Sequence, residues 1–406
     1  MIAIKARTIN TITRGILENG SILIENGKII DVGENLDVSQ AAEIIELDNG
    51  YVMPGLIDCH THLSVHQHLV TNPGSLLDVN EGSDPITPQI HAIDAFNPQD
   101  PAIPLVRSAG FTTIYTGPGS ANCIGGQGFA LKLRGTTVDE MCIPGTEMMK
   151  FALGENPKRF YGGRKLEPWT RMGTAALIRK TLYDAKTYSK KLLEGEIDPE
   201  KAPAPNFKME ALVKVVRGEQ RVRIHCHRAD DIMTAIRISE EFGLDYVLEH
   251  CTEGYMIKDV LASKKCKCVV GPLRLSPLKQ EVWGIRMDTP GILSNAGVHV
   301  SLTADTAGKT AWLPMEVGLC MTRGLKEEEA LRGITIYPAQ VLGLEERIGS
   351  IEPGKDADIA IFDGHPLDNL TLCRMTIIDG KVYHNIHNFV HFRFLISFFI
   401  LGKRFT

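Results

Sequence analysis

The sequence predicts an α/β protein: a (β/α)8 TIM-type barrel with a small composite β-sandwich domain from both chain ends. Three observations carry this. From residue 53 to residue 348, short apolar strand-like runs alternate with longer helical patterns. β-rich segments bounded by turn signals fill residues 1–52 and return after residue 348. Histidines and carboxylates recur at the expected C-terminal ends of several strands, where such barrels carry their chemistry. The boundaries read as 1–52 plus 349–385 for the composite β-domain, 53–348 for the barrel, and 386–406 for an atypical apolar tail.

In chain order, Ile2–Ala6, Gly20–Glu25 and Lys28–Val32 are β-rich, with Asn26-Gly27 as a hairpin turn, and Ala42–Leu47 continues the pattern. The barrel strands are Leu56–Asp58, Thr112–Thr116, Phe129–Leu133, Glu147–Ala152, Val222–His225, Tyr246–Glu249, Cys268–Val270 and Val298–Thr303. All eight are expected to run parallel. Between them, Asp231–Phe242 places Ile232, Ala235, Ile236 and Ser239 on one helical face and stops at Gly243, a C-cap signal. Gly173–Glu194 reads as a long helix with a solvated, lysine-rich end. Ile359–Phe362 and Met375–Ile378 are strands, and Asp379-Gly380 turns the chain into Lys381–Tyr383.

Composition narrows the function. The chain has 406 residues, 43% hydrophobic and 23% charged, with a formal net charge of −5. That balance is ordinary for a globular protein and gives no reason to expect nucleic acid or an anionic membrane as a partner. Nine scattered cysteines, an odd number, argue against a disulfide framework and for a reducing cytoplasm. Cys266-x-Cys268 lacks the second pair of a zinc knot and reads as buried small hydrophobes. The N-terminus has no long apolar core of a signal peptide. The aromatic stretch Phe389–Leu401 is shorter than the ~20 residues of a spanning helix and is expected to pack on the body. The expected partner is a small-molecule substrate, and homo-oligomerisation is left open.

Chemistry collects around Leu56-Ile-Asp-Cys-His-Thr-His62. In an extended strand, side chains alternate, so His60 and His62 share a face with Asp58, while Cys59 and Thr61 take the other. Two imidazoles on one face can hold one metal ion. Later strand ends add Lys150, His225, His227, His250 and Asp305. His66 and His68 repeat the His-x-His spacing beyond the strand and read as loop residues.

These motifs resemble the amidohydrolase superfamily of metal-dependent hydrolases, within its imidazolonepropionase-related branch. The carriers are Met53-Pro-Gly-Leu-Ile-Asp-Cys-His-Thr-His62, His225 after an apolar strand, Leu248-Glu-His250, Leu302-Thr-Ala-Asp305, and Ile348-Gly-Ser-Ile-Glu-Pro-Gly-Lys-Asp-Ala-Asp-Ile-Ala360. The match extends from the first residues to about residue 385, and the tail from Ile386 departs from it. The resemblance implies that His60, His62 and Asp305 hold one metal, and that His225 and His250 hold a second or help hold the first. Lys150 matches a position that binuclear relatives carboxylate to bridge two ions; its alternative is a plain ion pair with Glu147 or Glu155. The cofactor is expected to be one or two divalent metal ions, zinc first. His227 competes with His225 as ligand and is otherwise a substrate group, along with Arg228, Glu155, Asn156 and Arg159.

The implied activity is hydrolysis of a non-peptide or dipeptide-like C–N bond, an amide and most readily a cyclic one. Metal-activated hydroxide would attack and Asp305 would shuttle the proton. Deamination of a cyclic amidine is the first alternative. Deaminating relatives usually carry a Glu three residues after the strand-five histidine, where this chain has Arg228. A non-catalytic scaffold of the same fold is the second, which the intact ligand set opposes.

Overall fold

The computed structural model describes residues 1–68, 77–275 and 279–386. Four strands open the chain: β1 (Ile2–Asn10), β2 (Ile16–Glu25), β3 (Lys28–Glu34) and β4 (Glu43–Pro54). Three close it: β13 (Ile359–Phe362), β14 (Cys373–Ile378) and β15 (Lys381–Asn385). Together they form one seven-stranded sheet in the order β15-β14-β13-β4-β1-β2-β3. The two chain ends meet where β13 pairs antiparallel with β4, Ile361 opposite Val52. Alternating isoleucines make the buried face: Ile4, Ile22, Ile24, Ile29, Val52, Ile359, Ile361 and Ile377 pack in one cluster. The expected hairpin turns are both present, with Glu25 paired to Lys28 and Ile378 to Lys381.

Between the two halves lie β5 (Leu56–Thr61), β6 (Phe111–Thr116), β7 (Ile124–Lys132), β8 (Met148–Ala152), β9 (Val222–Cys226), β10 (Tyr246–His250), β11 (Lys267–Val270) and β12 (His299–Leu302). They form an eight-stranded sheet in sequence order. Its edges approach where Thr61 bridges Asp305 in parallel, so the barrel is nearly closed. β5, β6, β8 and β9 are buried along their whole length, which is why they read as apolar runs rather than alternating ones. Only glycine fits between β4 and β5: a Cβ on Gly55 would lie 2.2 Å from Thr112 side-chain atoms.

All eight sequence-read strands are present, but not all are parallel. β7 runs antiparallel to both β6 and β8. The cause is the short link at residues 117–123 between β6 and β7. A parallel return needs a crossover of about a dozen residues or more, usually a helix, and this link is too short for one.

Helices cover the barrel. Ala229–Phe242 ends at Gly243 with φ 69, the expected left-handed cap. Arg171–Ile197 starts at Thr170, whose side chain accepts the Gly173 N–H. The barrel is pinned to the seven-stranded sheet by Lys132, fully buried on β7, which donates to Asp356 (2.8 Å), Asp358 (3.2 Å) and Asp379. Cys266 and Cys268 are buried. No helix among the described residues is long and apolar enough to cross a membrane. The aromatic stretch 389–401 lies outside the described residues.

Candidate metal centre

His60 and His62 stand at the end of β5, and Asp305 follows β12, the strand that closes against it. The Nε2 atoms of His60 and His62 lie 3.1 and 3.5 Å from Asp305 Oδ1. In each ring the other nitrogen is engaged. His60 Nδ1 is 2.7 Å from Glu249 Oε1, and His62 Nδ1 is 2.7 Å from the Gly117 carbonyl. His250, at the end of β10, places Nδ1 2.7 Å from the Gly271 carbonyl. Fixing Nδ1–H on an acceptor leaves the Nε2 lone pair free, the tautomer a metal needs. Among the described residues, three groups bring ligand atoms within 4.8 Å of one another: His60/His62/Asp305, His60/Glu249/His250 and His225/His227/His250. Neutral imidazoles converging with a carboxylate suit zinc and its neighbours, so the donors present could hold a divalent ion.

The backbone supports this placement. His250 and Asp305 both have φ 70, the left-handed region that side-chain-bearing residues rarely adopt. Asp58 ties β5 to the Asp305 loop: Oδ2 accepts from Thr310 Oγ1 at 3.0 Å and from the Ala304 N–H at 3.3 Å. Asp58 therefore buttresses the centre instead of joining it.

Electrostatics favour open lone pairs on His62, His225, His227 and His250. Burial, the largest effect, brings His62 down to about 4 and His250 to about 3, and holds His225 and His227 well below the usual imidazole range. Burial is also the largest single effect on His60, but the Glu249 carboxylate and the Asp305 hydrogen bond together outweigh it and raise that ring. Burial opposes ionisation of Asp305, yet the His60 hydrogen bond and the surrounding imidazoles hold it well below the usual carboxylate range.

The remaining sequence-predicted residues divide. Lys150 faces the centre, but its partner is Glu249, not Glu147 or Glu155. His225 and His227 both reach the pocket, with ring centroids 4.4 and 4.6 Å from His250. His227 Nδ1 is 2.7 Å from Thr252 Oγ1, and its Nε2 is 3.4 Å from Lys279 Nζ. Asn156 Nδ2 lies 3.4 Å from His225 Nε2 and donates to Ser120 Oγ. Glu155 stands beside it at the start of the helix Glu155–Gly162. The two arginines lie in more exposed settings. Arg228 is bound to Asp230 at 2.8 Å, and the Arg159 side chain is 67% exposed.

Four residues at or beneath the centre were not singled out from sequence. Glu249 is fully buried and also accepts from Arg223 at 2.6 Å. Arg223, itself wholly buried, stacks over Tyr115 at 4.2 Å. Lys279 and Glu281 come from the segment after β11 and reach the His225–His227 side. The strand-end rule that found the histidines extends to this segment, since it too leaves the C-terminal end of a barrel strand.

Known proteins fit this arrangement. Residues 136–387 match the amidohydrolase family. The chain is 27% identical over 86% of its length to the amidohydrolase tasK of Hapsidospora irregularis, and spans 38% of that protein. It is 25% identical over 87% of its length to the imidazolonepropionase of Sphingopyxis alaskensis, spanning 89% of it. An adenine deaminase of Clostridium botulinum is 22% identical over 94% of the chain, which spans 57% of it. The crystal structure of an amidohydrolase from Thermotoga maritima superposes with a TM-score of 0.91 at 41% identity, covering 95% of this chain and all of that one.

Proposed function

The chain belongs to the amidohydrolase family, and from that premise we propose that it hydrolyses a C–N bond in a small-molecule amide, cyclic or dipeptide-like, at one divalent ion, zinc by preference. The observation that carries this reading is the convergence of His60 Nε2 and His62 Nε2 on Asp305 Oδ1, at 3.1 and 3.5 Å. An ion held there would supply Lewis acidity and would lower the pKa of water toward ~7. In this reading His250, from β10, and His225, from β9, would complete the donor set. Asp305 has two oxygens, so one can serve as ligand while the other takes a proton from water and passes it to the leaving nitrogen. Glu249 fixes the tautomer of His60.

Lys150 acts here as an ammonium paired with Glu249. A carboxylated Lys150 would set a second anion against that buried carboxylate. In this reading residues 53–348 form the hydrolase barrel, of (β/α)8 type with one reversed strand, and 1–52 plus 349–385 its companion β-domain.

Deamination of a cyclic amidine is the second reading. The adenine deaminase relative favours it, as does the Glu281 carboxylate, whose Oε1 is 3.8 Å from His225 Nε2. It ranks lower because Glu281 is committed to Lys279 at 2.6 Å. The deciding experiment offers zinc-loaded protein cyclic amides, dipeptides, N-acyl amino acids and cyclic amidines, with products identified by mass and ammonia quantified. Amide cleavage without ammonia is expected. Ammonia release from an amidine, with the amides untouched, would overturn the hydrolase reading.

A further inference from the structure

A cation stands at the wall of the centre. Lys279 Nζ donates to Glu281 Oε1 at 2.6 Å and to Asn156 Oδ1 at 3.0 Å, and lies 3.4 Å from His227 Nε2. Glu281 has no exposed side-chain surface, and both its oxygens are taken. Oε1 holds Lys279, and Oε2 accepts the Glu155 N–H at 2.7 Å with Arg171 Nη2 at 4.0 Å. A carboxylate so enclosed cannot receive a ligand; it anchors the ammonium. Lys279 keeps 13% of its side chain exposed, so the accessible member of the pair is the positive one.

The neighbouring cations are committed elsewhere. Arg228 faces Asp230, Arg171 holds Asp231 at 3.0 Å, and Lys150 and Arg223 share buried Glu249. Arg228 is therefore spent on a local pair and Arg159 is exposed, while Lys279, whose partner Glu281 is wholly enclosed, keeps an exposed portion and stands beside His227.

We propose that Lys279 is the anion-recognising residue of this site, positioned by Glu281 and Asn156, and that the substrate class is an amide carrying a carboxylate near the bond that is cleaved. The inference rests on the hydrolase reading and deepens it. A charge-assisted hydrogen bond from a largely desolvated ammonium is worth about ten- to hundredfold in affinity.

The test compares wild type, Lys279→Met and Lys279→Arg, all zinc-loaded. Calorimetry measures binding of N-acetylglycine and of its neutral counterpart N-acetylglycinamide. Michaelis parameters are measured on any turned-over amide and its carboxamide analogue. Lys279→Met is expected to weaken N-acetylglycine about tenfold or more, and to raise KM for the anionic substrate by a similar factor with kcat nearly unchanged. The neutral partners should be unaffected, and Arg should restore most of the loss. Equal binding of the two probes by wild type, or a Lys279→Met effect that is equal on both or absent from both, overturns the proposal. Zinc content and melting temperature of each variant separate these outcomes from a folding defect. Because the binding arm needs no turnover, failure of the hydrolase reading would show only as an inactive amide panel.

Discussion

Glu249 Oε1 sits 2.7 Å from His60 Nδ1, with the carboxylate fully buried and the imidazole nearly so. The same carboxylate receives Lys150 and Arg223. One buried anion thus orients a candidate ligand and pairs with two interior cations. Glu249→Gln keeps the volume but weakens the acceptor, and is expected to lower zinc affinity about 10- to 100-fold. Glu249→Ala leaves Arg223 and Lys150 unpaired and is expected to destabilise by about 3–5 kcal/mol. Chelator competition checks the first and denaturant unfolding the second.

Asp305 is asked to hold the ion and to move a proton. Asp305→Asn keeps an oxygen donor and loses the base, so kcat should fall by about 10²-fold or more. Zinc content measured on the same preparation separates the two roles. Full turnover in a zinc-loaded Asp305→Asn or Asp305→Ala protein would remove Asp305 from the chemistry.

Lys150, paired with Glu249, is expected to contribute no ligand. Lys150→Met should therefore retain the wild-type stoichiometry of one ion per chain, measured by elemental analysis after growth with ample bicarbonate. Two ions in wild type and one in the variant would mean that Lys150 bridges them.

The junction between barrel and sheet carries a pH signature. Burial pushes the Asp356 carboxyl up, but hydrogen bonds from Lys132 and Lys28 outweigh it and bring it down to about 2. A depressed carboxylate stabilises the fold above its unfolded value, near 4, and loses that contribution as pH falls through the folded value. Melting temperature followed from pH 7 downward should show wild type and Asp356→Asn converging between about 4 and about 2. A gap that persists unchanged to the acid end would show that this carboxylate is not the titrating group.

Much of this was legible in the sequence, and the failures have physical causes. His60, His62, His225, His250 and Asp305 were readable because a strand end is both a local signal and a place in a barrel. Glu249 was hidden because its partners come from three other strands, and only register brings His60, Lys150 and Arg223 around it. The settings of Arg228 and Arg159 were not readable, because a charge near a motif says nothing about its own neighbours. Asp230, two residues away, claims Arg228, and Arg159 points into solvent. The reversal of β7 was hidden because the strand begins at Ile124, five residues before the Phe129 start read from sequence, and only that earlier start shortens the link to residues 117–123, where a crossover cannot fit.

An ion held at His60, His62 and Asp305 is expected to drive C–N hydrolysis. The most direct test strips the protein of metal with a chelator, assays the amide panel, and then titrates zinc back into wild type and His60→Ala/His62→Ala. The stripped protein should show no turnover, wild type should recover with saturation near one equivalent, and the double variant should not recover. Amide hydrolysis that survives complete removal of metal, or full recovery in the double variant, would contradict that role for the ion.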